Sequence, residues 1–247
     1  MFDALVNGHI DVSPISFNIT IKDIEELNRM ALHCIPDIAK ISYATYPLIK
    51  KDYQLLTSGG AIGFGNGPLL VSRQNLNLND LHNYTIAIPG EHTTANLLLS
   101  ALFPGGLKTK TALFSDIEEM VLSGKADAGV LIHETRFTYE SKGLIKIIDL
   151  GELWEKETGL PIPLGAIAVK RSLPQEIKSR INRLLRESIE YAMSNPGVSK
   201  PFIKEHAKSM DETVCESHIK LFVNQFSIDL GEQGRKAVEM LFKRSSK

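Results

Sequence analysis

The amino-acid sequence predicts an α/β protein of two lobes that face each other across a cleft. Three observations predict this fold class. Short β-rich runs alternate with segments that carry apolar residues at helical spacing, which favours a mostly parallel sheet covered by helices on both faces. The polar stretch NLNLND (75–80) is typical of a connector between two such units. After residue 173 the pattern becomes helical, and we expect this C-terminal run to pack back on the first lobe.

The first 74 residues are predicted to form part of the first lobe. ISFNIT (15–20) and IAKISYA (38–44) are β-rich runs, and KDIEELNRMAL (22–32) between them has the spacing of a helix. In YQLLTSGGAIGFGNGPLLVSR (53–73), two β-like runs flank a glycine-rich turn. GFGNG within this turn lacks the full dinucleotide-binding spacing and precedes a strand, so we interpret it as a tight turn or a loop near a hinge. The first crossing between the lobes is expected at residues 74–80.

Residues 75–170 are predicted to form the second lobe, in which strands and helices alternate more regularly. Ser115 and Glu118 have the spacing of a capping box at the start of one of its helices. The first lobe is then completed by residues 171–247, beginning with a long amphipathic helix that has Pro174 at its start and continuing with two or three further helices. The predicted elements of the second lobe are strands TIAIPG, KTALF, AGVLIH, LIKIIDL and LGAIAVKR, helices TTANLLLSALF, SDIEEMVLSG and GELWEKETG, and the short helix or loop RFTYESKG.

Composition excludes several classes of function. The 28 basic and 29 acidic residues give a net charge of −1 without a basic patch, so no nucleic-acid partner is expected. No apolar run approaches the roughly 20 residues of a membrane span, and the start lacks the pattern of a secretory signal, which predicts a cytoplasmic protein. Cys34 and Cys215 are far apart, and Cys215 with His218 is too small a set for a metal site. Oligomeric state is left open.

The stretch LIHETRFTY (131–139) contains the strongest candidate for chemistry. His133 follows the apolar run AGVLI, at the carboxyl end of a predicted strand, where open α/β sheets bind their ligands. An imidazole titrates near neutral pH and can act as a base, with Glu134, Arg136 or Tyr139 as possible supports. A structural histidine at the end of the strand explains the same pattern equally well. His92 is a second possibility, whereas no role is predicted for the other histidines, which are His9, His33, His82, His206 and His218.

Small polar residues provide three further candidate contacts. A helix is predicted to start near Thr93 and Thr94, where free backbone N–H groups and two hydroxyls could bind an anion, although an ordinary N-cap fits as well. Ser58 in TSGG and Ser42 after IAKI could lie beside a ligand or serve as ordinary turn residues. No nucleophile elbow and no H-E-x-x-H motif is present. Acid–base chemistry without a cofactor, or ligand binding alone, therefore remains.

Six ordered stretches together resemble the 1,4-dihydroxy-6-naphthoate synthase family of the futalosine pathway of menaquinone biosynthesis. The resemblance covers residues 2–242. It implies a two-lobed, periplasmic-binding-protein-like (type II) fold with the ligand between the lobes. It also implies a carbon–carbon lyase that cleaves cyclic dehypoxanthinyl futalosine to the dihydroxynaphthoate and a sugar-derived fragment, without metal or redox cofactor. The stretches are AKISYA, SGGAIGFGNGPLLV, IAIPGEHTTANLLLS, LIHETRFTY, DLGELWEKETGLPIPLGAI and VNQFSIDLGEQG.

The resemblance also implies roles for individual residues. His133 matches the family's catalytic base, and the substrate, a small molecule with a carboxylate, is expected to contact the residues Lys40, Ile41, Ser42, Thr93 and Thr94, with Ser58 close by. The family has a strand and a loop like S-P-C-P-N-D-T-F ahead of the segment that matches MFDALVNGHI. Either the start has been assigned at an internal methionine or the protein lacks this first strand, and its loss would expose a sheet edge and remove one wall of the cleft. Two alternatives are a non-catalytic solute-binding protein and the chorismate-dehydrating enzyme of the same pathway. The HTT and IHETRF motifs favour the synthase.

Overall fold

The computed structural model describes residues 1–206 and 211–245 and has two β-sheets flanked by helices. The strands are β1 (Ile38–Ser42), β2 (Tyr53–Leu55), β3 (Ala61–Gly63), β4 (Leu69–Ser72), β5 (Thr85–Ile88), β6 (Lys108–Thr111), β7 (Ala128–Leu131), β8 (Ile145–Asp149) and β9 (Ile162–Lys170). The α-helices of the described residues are α1 (Asp3–Val6), α2 (Ile24–Leu32), α3 (Tyr46–Ile49), α4 (Thr94–Leu102), α5 (Ile117–Leu122), α6 (Leu150–Thr158), α7 (Gln175–Ser194), α8 (Lys200–His206), α9 (Glu212–Phe222), α10 (Gln225–Ile228) and α11 (Gly231–Ser245).

The first sheet is organised around β9, which pairs antiparallel with β1, β2 and β3. Side chains alternate between the two faces of a strand, so Ile167 and Val169 of β9 share one face and Ala168 lies on the other. Ile167 and Val169 pack against the apolar stripe of α7, which includes Ile181 and Leu184. The long amphipathic helix predicted from the sequence is therefore confirmed, and it covers one face of the first sheet.

The second sheet has the strand order β6-β5-β7-β4-β8 and is mixed rather than parallel. Strand β5 is parallel to β6 and β7, as expected when helices connect successive strands. Strand β4 is antiparallel to β7 and β8, and every pairing of the first sheet is antiparallel. The prediction of a mostly parallel sheet is therefore wrong. Strand β4 belongs to the second sheet but follows β3 of the first, and β9 belongs to the first sheet but follows β8 of the second. Neither strand is therefore part of a simple βαβ unit.

The sheet membership of β4 and β9 bears on the lobe boundaries. The chain leaves the first sheet after β3 and enters the second at β4, and it returns to the first sheet at β9. This path favours crossings at residues 64–68 and 159–161 over crossings at 74–80 and 170–171. The division into lobe I (1–74 with 171–247) and lobe II (75–170) stays a prediction, and we propose the earlier crossings as its boundaries.

Three smaller expectations are corrected. Residues 15–20 form no strand, because Ile15 and Phe17 pack against the α7 cluster without a neighbouring strand to pair with. Ser115 does not make the predicted capping box: its hydroxyl bonds Asp116, and Glu118 is buried and paired with Lys142. The described residues after α7 contain four further helices rather than two or three. The last of these, α11, packs in a cluster shared by both sheets, which includes Tyr43, Ile86, Val238 and Leu241.

Candidate active site

A cavity of about 1220 Å³ lies between the start of the chain, α2, the loops that follow β6 and β7, and the C-terminal helices. Its polar side chains include Lys40 of β1, His133 after β7 and His218 of α9. Carboxyl groups also line it, among them Asp23 and Glu134. The remaining wall is largely apolar and suits a flat hydrophobic ligand. The main apolar side chains of this wall are Leu27, Leu113, Phe114, Phe202, Ile203, Ile219 and Val223.

His133 begins a 3₁₀ helix (His133–Phe137) that follows β7 directly. Its φ of 57° lies in the left-handed region, which L-residues other than glycine rarely adopt. Such strained backbone occurs often at functional sites, where it fixes the direction of a side chain. The ring lies edge-on to Phe114 with 5.1 Å between centroids, and no hydrogen bond from the described residues reaches it. The histidine therefore lines the cavity without a protein partner.

The surroundings of His133 keep its imidazole neutral. Its pKa is lowered to about 3, chiefly by burial and to a smaller extent by the nearby charges of Lys40 and His218. Burial also lowers the pKa of Lys40, which makes no ion pair with any acid of the described residues. The cavity thus combines a neutral imidazole, which can accept a proton, with an ammonium group that is available to an anion.

His218 belongs to this group, although no role was predicted for it from the sequence. Its ring lies 5.8 Å from that of His133, nearly perpendicular to it, and 4.6 Å from that of Phe222. Burial and Lys40 lower its pKa to about 4. A signal was present in the sequence: Val214, His218 and Phe222 are four residues apart and form one stripe of α9, so the histidine stands on an apolar face.

Two of the three residues expected to support His133, Arg136 and Tyr139, have other partners, whereas Glu134 lines the cavity. Arg136 donates to Asp149 at 3.2 Å and to the carbonyl of Gly67. Tyr139 donates its hydroxyl proton to Glu140 at 2.8 Å. Arg136 therefore ties the 3₁₀ helix to the sheet and acts on His133 only through the backbone.

The GFGNG turn forms the other side of this anchor. Gly67 packs so closely on Gly151 that a Cβ atom at Gly67 would overlap the backbone of Gly151. The close approach allows its carbonyl to accept from Arg136. The glycine-rich segment thus serves packing between two loops, and it lies where the chain passes from the first sheet to the second, which favours the loop near a hinge over the tight turn.

The predicted contacts at the start of α4 form a separate hydrogen-bond network. Thr93 caps α4 by accepting from the N–H of Asn96 and donates to the carbonyl of Gly90. Thr94 donates to the carbonyl of Leu164 at 2.8 Å and accepts from the N–H of Ala44 at 3.3 Å. Both threonines are buried. Their hydroxyl groups are therefore engaged inside the protein, and neither threonine lines the cavity.

Asn28 and Glu25 of α2 connect this network to the first sheet. The Asn28 side chain accepts from the N–H of Ser42 at 2.8 Å and donates to its hydroxyl at 3.0 Å and to the carbonyl of His92 at 3.4 Å. The Glu25 carboxylate lies 2.8 Å from Nδ1 of His92 and accepts from the His92 N–H at 3.2 Å. His92, the second candidate base, is thus held by a buried carboxylate away from the cavity.

Ile41 and Ser58 also lie outside the cavity wall. Ile41 is buried and packs against the α2 side of the first sheet. The Ser58 hydroxyl donates to the carbonyl of Ile228 at 2.8 Å, and its N–H donates to Asn182. Of the seven residues predicted to form the site, the cavity therefore contains Lys40 and His133.

Within residues 1–206 and 211–245, no group of three or more His, Cys, Asp or Glu side chains is placed to hold a metal ion. The same ranges contain no helix with the length and hydropathy needed to cross a membrane.

Known proteins similar to this chain cover nearly all of it. A family described as "Menaquinone biosynthesis" matches residues 1–247. A 1,4-dihydroxy-6-naphtoate synthase of Streptomyces coelicolor is 42% identical over 100% of this chain and 88% of its own length. The enzyme of the same name from Thermus thermophilus is 40% identical over 98% of this chain and 88% of its own length.

Solved structures support the same grouping and the fold. A crystal structure of an Archaeoglobus fulgidus protein superposes with a TM-score of 0.94, at 31% identity over 99% of this chain and 91% of that one. The ligand-binding component of an ABC-type import system from Staphylococcus aureus superposes with a TM-score of 0.67, at 13% identity over 92% of this chain and 80% of that one. This second likeness shows the fold alone. The predicted two-lobed, periplasmic-binding-protein-like fold is confirmed.

Proposed function

We propose that this chain, which belongs to the menaquinone biosynthesis family, is a 1,4-dihydroxy-6-naphthoate synthase like the two relatives that carry that name. Its substrate would be cyclic dehypoxanthinyl futalosine, a small molecule with a carboxylate. The reaction would be that of a carbon–carbon lyase, with no cofactor taking part. We expect the enzyme to act in the cytoplasm, where small metabolic intermediates are available to it.

One observation carries the proposal: the neutral imidazole of His133 and the ammonium group of Lys40 line one largely apolar cavity, and neither has a hydrogen-bond or ion-pair partner among the described residues. In the proposed reaction, His133 accepts a proton from the substrate, the bond to the sugar-derived portion breaks, and the electron pair moves toward a carbonyl oxygen. Transfer of the proton from His133 to that oxygen then gives the hydroxyl of the product and restores the base. Aromatisation of the remaining ring drives the cleavage. A base whose pKa lies well below neutrality is fully in the accepting form at pH 7.

Binding follows from the same cavity. Lys40 would hold the substrate carboxylate by a charge-assisted hydrogen bond, and the apolar wall around Phe114 would hold the ring system. The cavity exceeds the range of about 300–1,000 Å³ that is usual for small-molecule sites. A fused-ring acid together with its sugar-derived portion therefore has room to bind.

Ile41, Ser42, Ser58, Thr93 and Thr94 stay predicted contacts, on the strength of the resemblance alone. Their hydrogen bonds and packing within the protein favour a different contribution, in which they hold β1 and the start of α4 in fixed positions beside the cavity.

The proposal is tested by incubating the purified protein with cyclic dehypoxanthinyl futalosine and following 1,4-dihydroxy-6-naphthoate by chromatography and mass spectrometry. We expect product with the wild type and with His82→Gln, a variant at an exposed histidine. Chorismate in the same assay should be left unchanged. Tight binding of the futalosine derivative without product would favour a solute-binding protein, and dehydration of chorismate would favour the other enzyme of the pathway.

A further inference from the structure

His218 has an unsatisfied polar atom at the proposed reaction site. Its Nε2 is buried and has no hydrogen-bond partner among the described residues, although the side chain lines the cavity beside His133. Buried polar atoms in proteins are nearly always paired, because an unpaired one costs free energy. The side chain lines the cavity, so a rotation of the ring would bring this nitrogen to an oxygen of a bound ligand.

The geometry directs the two imidazoles at one ligand from different elements. His133 is fixed by the strained backbone after β7, and His218 by its contacts on α9. Their rings are 5.8 Å apart and nearly perpendicular, so their nitrogens can reach different atoms of one bound molecule. The ring of Phe222 lies beside both imidazoles, 6.5 Å from that of His133 and 4.6 Å from that of His218.

A neutral imidazole has one N–H donor and one acceptor nitrogen. Lys40 lies near both rings and disfavours a second positive charge on either of them. His218 is therefore suited to donate a hydrogen bond and not to give up a proton, since losing its N–H would leave an imidazolate. A neutral histidine that polarises a carbonyl in this way is an established arrangement in enzymes.

We propose that His218 is a second catalytic residue, which donates its ring N–H to the substrate carbonyl oxygen on which negative charge develops while His133 removes the proton. This inference rests on the proposed function. The proton moves from the substrate to His133, and the electron pair moves toward the carbonyl oxygen. His218 keeps its own proton throughout, and the hydrogen bond strengthens as the oxygen becomes negative.

Two variants separate a donor from a packing residue. His218→Phe keeps an aromatic ring on the apolar face of α9 but removes the N–H, whereas His218→Gln keeps an N–H donor at similar reach. We expect His218→Phe to lower kcat about 10²–10³-fold with KM changed less than about threefold, the pattern of an interaction made mainly in the transition state. His218→Gln should retain kcat within about tenfold, and His82→Gln should match the wild type.

A second measurement does not need the phenylalanine variant to fold. In an NMR spectrum of protein with ¹⁵N-labelled histidine, the ring nitrogen resonances of His218 are identified by their absence from the spectrum of His218→Gln. We expect saturating 1,4-dihydroxy-6-naphthoate to shift one of these resonances.

The outcomes of these experiments distinguish the role of His218 from the synthase function itself. Three results would overturn the role of His218 and leave the synthase function standing. They are a kcat of His218→Phe within threefold of the wild type, an equal loss of kcat in His218→Phe and His218→Gln, and a His218 resonance that does not shift when the naphthoate binds. Absence of turnover by the wild type would overturn the synthase function and this inference together.

Discussion

Two polar clusters of this protein each contain residues that were predicted to form the site, and they differ in how their hydrogen bonds are satisfied. The cavity group is defined as Lys40, His133 and His218, and its side chains make no hydrogen bond or ion pair within the described residues. The α4-start network, defined as Glu25, Asn28, Ser42, His92, Thr93 and Thr94, is joined by hydrogen bonds between the first sheet, α2 and α4.

This difference in hydrogen bonding separates side chains that are available to a ligand from side chains that are already hydrogen-bonded within the protein. Desolvation without a partner costs free energy that a bound substrate can recover, as expected of a binding site. A hydroxyl such as that of Thr94, which both donates and accepts inside the protein, would have to break those bonds to contact a substrate. We therefore expect substitutions in the cavity group to affect turnover first and substitutions in the α4-start network to affect stability first.

The largest effect is expected at His133. His133→Ala and His133→Gly should both lower kcat by about 10²–10⁴-fold, the usual contribution of a general base. Because φ is 57° at this position, glycine should be more stable there than alanine by about 1 kcal/mol. Steady-state kinetics and urea unfolding of the two variants test this. Wild-type turnover in either variant would remove His133 from the mechanism.

Lys40→Met should act mainly on binding. Loss of a charge-assisted hydrogen bond of about 1.5–3 kcal/mol predicts a KM roughly 10–100-fold higher, with a smaller change in kcat. The same substitution removes an unpaired, partly buried charge, so the free energy of unfolding should rise. Lys51→Met, at an exposed lysine, is the matched control and should change neither quantity. An unchanged KM in Lys40→Met would mean that the carboxylate binds elsewhere.

Thr94 gives the sharpest test of the difference between the clusters. Thr94→Val keeps the shape of the side chain and removes both of its hydrogen bonds, whereas Thr94→Ser keeps the hydroxyl. We expect Thr94→Val to lower the free energy of unfolding by about 1–3 kcal/mol while KM stays within a few-fold of the wild type. Thr94→Ser should lie closer to the wild type in stability. A tenfold higher KM with unchanged stability would instead place Thr94 against the substrate.

Sequence reasoning was most successful where local pattern determines structure. Helical periodicity predicted α2 and α7, and the position of His133 at the end of a strand followed from the apolar run before it. Strand direction in the second sheet could not be predicted, because it depends on where the chain crosses between sheets. His218 was missed for a related reason: it is about 85 residues from His133, and only the packing of α9 brings the two rings together.

The smallest expected effect is a dependence of stability on pH. The pKa of His133 is lowered from 6.5 to about 3 on folding, so between these values the unfolded chain binds a proton that the folded protein does not. Stability is therefore full above pH 6.5 and falls as the pH drops toward 3. Between pH 7.5 and pH 5 the wild type should lose about 1–2 kcal/mol more than His133→Gln, measured by urea unfolding at both values. His82→Gln should follow the wild type. An equal loss of unfolding free energy in the wild type and in His133→Gln would mean that His133 is solvated and takes up a proton freely in the folded protein. The cavity group would then not differ in this respect from surface residues.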